Sequence, residues 1–147
     1  MTMLEARPGR TCVLVVDDDD AVVDAAAIML EDDGYAVLVA YGAEQAWLTM
    51  QKHAPLPDVV LLGVSTPGGD GWSLMQRVRE ELTISHIPVV VMSELDSSVL
   101  KDPAVAAYVS KPLAFEPLLE TIRLTLWRHG REVPAARDCS YLSDYPE

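Results

Sequence analysis

Cysteine is scarce in this chain of 147 residues, with only Cys12 and Cys139 present. Two such residues build no disulfide framework and show no metal-ligand spacing, so a reducing, cytoplasmic setting is the expectation. Histidine is equally thin, and His53, His86 and His129 stand apart with no partner at ligand spacing, which reads as surface placement. No apolar run approaches the roughly 18 residues of a membrane span, and Met1 to Arg7 lacks the apolar core of a signal peptide. Positive charge is the most uneven absence. From Thr11 to Gln51 there is no Lys or Arg against nine acidic residues, and the whole chain carries a net charge of −12. That balance argues against binding nucleic acid, which needs clustered basic side chains on phosphates. It fits a basic protein surface as partner, with a merely solvated acidic face as the equal alternative.

What the sequence does hold is apolar residues, 50% of the total, arranged as short β-branched runs alternating with helical stretches. One domain with a full core is expected over 11–130, preceded by a loose arm over 1–10 and followed by a flexible tail over 131–147. Cys12 to Val16 reads as a strand buried on both faces. A helix follows from about Ala21 to Asp33, capped by Asp19 or Asp20 and stopped at Gly34, with Val22, Ala26, Met29 and Leu30 as its inner stripe. Ala36 to Ala40 is a second strand. The next helix runs from Gly42 and Ala43 to about Lys52, with Ala46, Trp47 and Met50 on one side.

The third strand, Val59 to Leu62, lies between Pro57 and Pro67-Gly68-Gly69 and reads as a central strand covered on both faces. Gly63 stands where it emerges. A helix over about Trp72 to Leu82 follows, then strands over Ile87 to Met92 and Ala107 to Ser110. The final helix spans about Glu116 to His129, with Pro117 tolerated in its first turn. Between Ser93 and Lys111 the chain is short and carries Pro103, so any helix there is expected to be shortened or lost. The Trp and Met residues are read as packing. Alternating strands and helices predict a parallel sheet with helices on both faces, and ligand chemistry at the carboxyl ends of its strands.

The run from Asp58 through Gly63 to Gly71, with Asp17 to Asp20 after the first strand, resembles the receiver domain of two-component response regulators, from about Thr11 to about Gly130. The resemblance implies a flavodoxin-like sheet of order 2-1-3-4-5. It matches Asp17 and Asp18 to the acidic pair that holds Mg²⁺ and the Ser65 carbonyl to a third ligand. It matches Ser93 to the hydroxyl that bonds a phosphoryl group, Tyr108 to the aromatic switch and Lys111 to the cationic phosphate contact. Where the family carries its phosphoacceptor aspartate, this chain has Gly63.

Phosphoryl transfer to a carboxylate needs a nucleophilic oxygen, a charge-neutralising metal and donors for the moving oxygens. With Gly63 the nucleophile and one ligand are gone, so Mg²⁺ affinity is expected to be weak or absent, with no other cofactor and no enzyme activity. Lys111 then serves as countercharge to Asp17 or Asp18. The reading that follows is a stand-alone pseudo-receiver acting by phosphorylation-independent protein contact. Its partner is a histidine kinase, a phosphotransfer protein or another regulator.

The alternative is a phosphorelay receiver with a substitute acceptor. Ser65 and Thr66 are near but need a base, while Asp58 lies at the opposite end of its strand and Asp70 beyond the glycines. A more remote alternative is a Mg²⁺-dependent phosphatase of the haloacid dehalogenase type, suggested by Asp17-Asp18-Asp19 after a strand. On the last helix, Phe115, Leu118, Leu119, Ile122 and Leu126 are expected to face the sheet. Leu124 and Trp127 are left as interface candidates, either for a homodimer or other partner or for the tail folding back.

Overall fold

A computed structural model of the chain describes residues 11–52, 56–64, 70–81, 84–94 and 105–131, without the side chains of Asp70 and Trp72. Nine elements follow in order: β1 (Cys12–Val16), α1 (Asp20–Asp32), β2 (Ala36–Ala40), α2 (Ala43–Lys52), β3 (Val59–Gly63), α3 (Asp70–Glu80), β4 (Val89–Ser93), β5 (Ala107–Ser110) and α4 (Phe115–Arg128). The strands form one sheet of order β2-β1-β3-β4-β5, and every pairing is parallel. This is the flavodoxin-like order expected from the sequence.

The unbroken apolar runs are explained by what covers them. In β1, Cys12, Leu14 and Val16 turn to one face and Val13 and Val15 to the other, because successive side chains in a strand point to opposite sides. The first face meets Ala46 and Met50 of α2 and Leu74, Met75 and Val78 of α3. The second meets Val23, Ala26 and Leu30 of α1 and Leu118, Leu119, Ile122 and Leu126 of α4. Each such large apolar side chain taken fully out of water contributes about 1.5–3 kcal/mol. The inner strands β1, β3 and β4 could not be polar on either side.

Local signals set the boundaries. Asp19 caps α1 by accepting from the Ala21 amide at 3.0 Å. Gly34 ends it at φ 100°, a left-handed conformation that a Cβ would penalise. The ladder of β4 begins at Val89 and not at Ile87, since Pro88 can only accept, which it does from Val60 at 3.0 Å.

Two packing expectations need correction. The buried stripe of α1 is Val23, Ala26, Ala27 and Leu30, whereas Val22 and Met29 are half-buried. Between Ala21 and Leu30 every position except Asp24 is apolar, so the pattern shows a wide stripe without its phase. Phe115, expected against the sheet, is 43% exposed at the first position of α4, one turn ahead of the buried Leu118 and Leu119. Trp127 is 39% exposed and Leu124 half-buried. The segment expected to lack a full helix lies outside the described residues over 95–104, as do the arm over 1–10 and the tail over 132–147.

Candidate functional site at the carboxyl edge of the sheet

Parallel strands bring all their carboxyl ends to one edge. Asp17 follows β1 and donates its amide to the Ala40 carbonyl of β2 at 3.2 Å. Gly63 closes β3 and Ser93 closes β4, and the Lys111 amide, one residue past β5, reaches the Ser93 carbonyl at 2.9 Å. In register Val16 faces Leu62, so Asp17 and Gly63 are the next pair along. The topology thus places Asp17, Gly63, Ser93 and Lys111 together at the carboxyl ends of β1, β3, β4 and β5.

The four aspartates of the first loop have separate tasks. Asp18, Asp19 and Asp20 are exposed, and Asp19 is the helix cap. Asp17 is 4% exposed and its Oδ1 accepts from the Asp19 amide at 2.9 Å. Its Oδ2 lies 2.6 Å from Lys111 Nζ, with the two side chains 3% and 12% exposed. The ammonium approaches off the direction of an aligned hydrogen bond, so the contact is chiefly one of charge. Removing either member would leave a poorly solvated charge behind.

This carboxylate lies where a side chain on residue 63 would go. A Cβ built on Gly63 would run into Asp17 Oδ2 and come within 2.5 Å of Asp17 Cγ and 3.1 Å of Asp17 Cβ. A second glycine meets the same spot. A Cβ on Gly71 would lie 2.9 Å from the Gly63 carbonyl oxygen and 2.9 Å from Val64 Cγ2, so α3 begins tight against the end of β3.

Ser93 is buried at 3% exposure, while Tyr108 is half-buried on the α2 and α3 side of the sheet. Ser65 and Thr66 lie outside the described residues, as do His53 and the Asp70 and Trp72 side chains. Of the residues the resemblance matches to a Mg²⁺ site, Asp17 is paired with Lys111, Asp18 is exposed and Ser65 lies outside the described residues. Among the described residues no group of three or more His, Cys, Asp or Glu converges for a metal.

Away from this edge the structure holds two charge clusters that sequence reasoning missed. Arg123, 1% exposed in α4, donates from Nε to Asp33 Oδ2 at 3.1 Å and from Nη2 to both carboxylate oxygens at 2.6 and 2.5 Å. The available signal was an arginine beside Leu119, Ile122 and Leu126 on the inward stripe. At the amino edge, Asp58 accepts from the Cys12 amide at 2.9 Å and pairs with Arg131 at 3.0 Å. Burial, and then the Asp58 carboxylate, push the Cys12 thiol from 9.0 up to about 12.

A doubly wound parallel sheet with acidic, hydroxyl and lysine residues gathered at its carboxyl edge defines a signalling receiver fold. The chain belongs to the family described as response regulator receiver domain, whose model matches residues 13–123. Among its relatives are the DNA-binding dual master transcriptional regulator RpaA of Synechocystis and the transcriptional regulatory protein CseB of Streptomyces coelicolor. The first is 32% identical over 139 residues, covering 91% of this chain and 56% of that protein. The second is 35% identical over 125 residues, covering 82% and 51%. The chain therefore spans about half the length of the curated relatives it matches.

Chemotaxis response regulator CheY4 of Vibrio cholerae superposes with a TM-score of 0.71 at 26% identity, covering 80% of this chain and 99% of that one. A CheY-like receiver domain protein of Methanospirillum hungatei, at 22% identity, shares the fold with a TM-score of 0.72 over 83% and 98% of the two chains. Among the described residues, no helix is long and apolar enough to cross a membrane.

Proposed function

We propose that this chain is a receiver-type signalling module that works through protein contact, without phosphoryl transfer to residue 63 and without a firmly held Mg²⁺. In this reading Gly63 occupies the phosphoacceptor position, and Asp17, Asp18, Ser93, Tyr108 and Lys111 are the remaining parts of a degenerate phosphorylation site. The observation that carries it is the Asp17 carboxylate lying in the room an acceptor side chain would need, paired there with Lys111.

The same pairing bears on the metal. An ammonium already neutralises Asp17, and a hard cation would have to displace it for one buried carboxylate and one exposed one. The acidic surface from Asp18 to Asp24 suits a basic protein partner better than nucleic acid.

The test is intact-mass spectrometry after incubation with acetyl phosphate and Mg²⁺. No phosphoryl adduct is expected on this chain. A stoichiometric adduct would overturn the reading, and mapping it to Ser65 or Thr66 would make the protein a relay receiver with a substitute acceptor.

A further inference from the structure

We infer that Gly63 is required by the Asp17–Lys111 ion pair: the missing side chain is what lets a buried carboxylate lean across β3 and meet the lysine arriving from β5, strapping the site edge in one arrangement. This goes beyond loss of an acceptor. A chain that had merely lost its nucleophile could carry Ala, Ser or Asn at position 63. The geometry excludes all of them while the strap is closed, because every one has a Cβ, and that Cβ collides with Asp17 Oδ2.

The collision has no easy relief. Both oxygens of Asp17 are committed, Oδ1 to the Asp19 amide at 2.9 Å and Oδ2 to Lys111 at 2.6 Å. The side chain is 4% exposed, so turning it aside gives up both contacts at once. The strap also crosses two strand ends. In the order β2-β1-β3-β4-β5, Asp17 and Lys111 belong to strands separated by β3 and β4, and their charges meet above those strands' ends. The ends of β1 and β5 are thereby tied to each other across the site. The identity of residue 63 decides between strap and open edge, independently of whether it can bear a phosphate.

A thermodynamic cycle on the full chain tests this, read by urea denaturation of Gly63→Ala, Asp17→Ala, the double variant and the parent. In an ordinary strand, Gly→Ala raises the folded-to-unfolded ratio by about two- to fivefold through the unfolded chain's lost freedom. Here Gly63→Ala is expected to lower that ratio by about tenfold or more, since it breaks a buried pair. In the Asp17→Ala background the obstacle is gone, and the same substitution is expected to be neutral or stabilising. A stabilising Gly63→Ala in the parent, or equal effects in both backgrounds, would overturn the inference.

If Gly63→Ala does not fold, the double variant decides. Its recovery of a cooperative transition supports the strap, and its failure while Asp17→Ala folds refutes it. A spectroscopic readout stands apart from stability. Lys111→Met is expected to shift the Gly63 backbone amide resonance, because releasing the lysine frees the carboxylate above it, and an unmoved Gly63 signal counts against the strap. No arm involves phosphodonor, so the inference can fail while the absence of phosphorylation stands, and the reverse.

Discussion

Replacing Arg123 by Met removes the buried cation while keeping the length of the side chain. Arg123 is 1% exposed and Asp33 9%, and three N–O contacts of 2.5 to 3.1 Å join them. Asp33 is also the C-cap of α1, a helix with no basic residue in its last turn, so its carboxylate sits against the negative end of the helix dipole. Arg123 from the neighbouring helix supplies the compensating charge. Stranding one member of a buried pair costs about 3–5 kcal/mol. Asp33 lies nearer solvent, so Arg123→Met is expected at about 3 kcal/mol, and Asp33→Ala, which strands the more deeply buried guanidinium, at about 5 kcal/mol. Against a total stability of about 5–15 kcal/mol, either is a large loss.

The double variant Arg123→Met/Asp33→Ala is expected to recover most of that loss, because no charge is then left in a dry site. Urea denaturation midpoints at constant m-value measure all three. A cost below about 1 kcal/mol for Arg123→Met, or a double variant no better than the worse single one, would refute the reasoning.

The raised Cys12 thiol gives a pH signature. Folding holds its proton more tightly than the unfolded chain does, so the contribution to stability is fully present below pH 9.0 and is lost as pH rises toward about 12. Denaturation profiles of Cys12→Ala and the parent are expected to run parallel below pH 9.0 and to separate only above it. Alkylation at pH 8 in a Cys139→Ser background is expected to be slow until denaturant is added, since the thiolate is scarce and the residue buried. Gly71→Ala is expected to cost about 1–3 kcal/mol by forcing α3 away from the Gly63 carbonyl, measured by thermal or urea unfolding. An unchanged midpoint would mean that α3 has slack at its first turn.

The inner strands were legible because each is a short apolar run whose two faces are both buried, and a parallel sheet leaves no other explanation for β1 or β3. Their order came from the family resemblance, and the site edge followed from the order. The phase of α1 was not legible, because every position between Ala21 and Leu30 except Asp24 is apolar. Arg123 was missed because a charged residue on an apolar stripe declares itself only when its partner is known, and Asp33 is 90 residues away in sequence. The contact between Asp17 and Lys111 had a sequence argument, strand ends plus opposite charge. That the carboxylate fills the space above Gly63 depends on a side-chain rotamer, which no spacing encodes.

Asp58 touches both the first residue of β1 and a residue just past the end of α4, accepting from the Cys12 amide and holding the Arg131 guanidinium. The described body therefore receives the chain and releases it at a single pole, the one opposite Gly63. Both ends of the described body are fastened by one side chain. Force applied between Cys12 and Arg131 would load that carboxylate bridge, at the pole away from the candidate site.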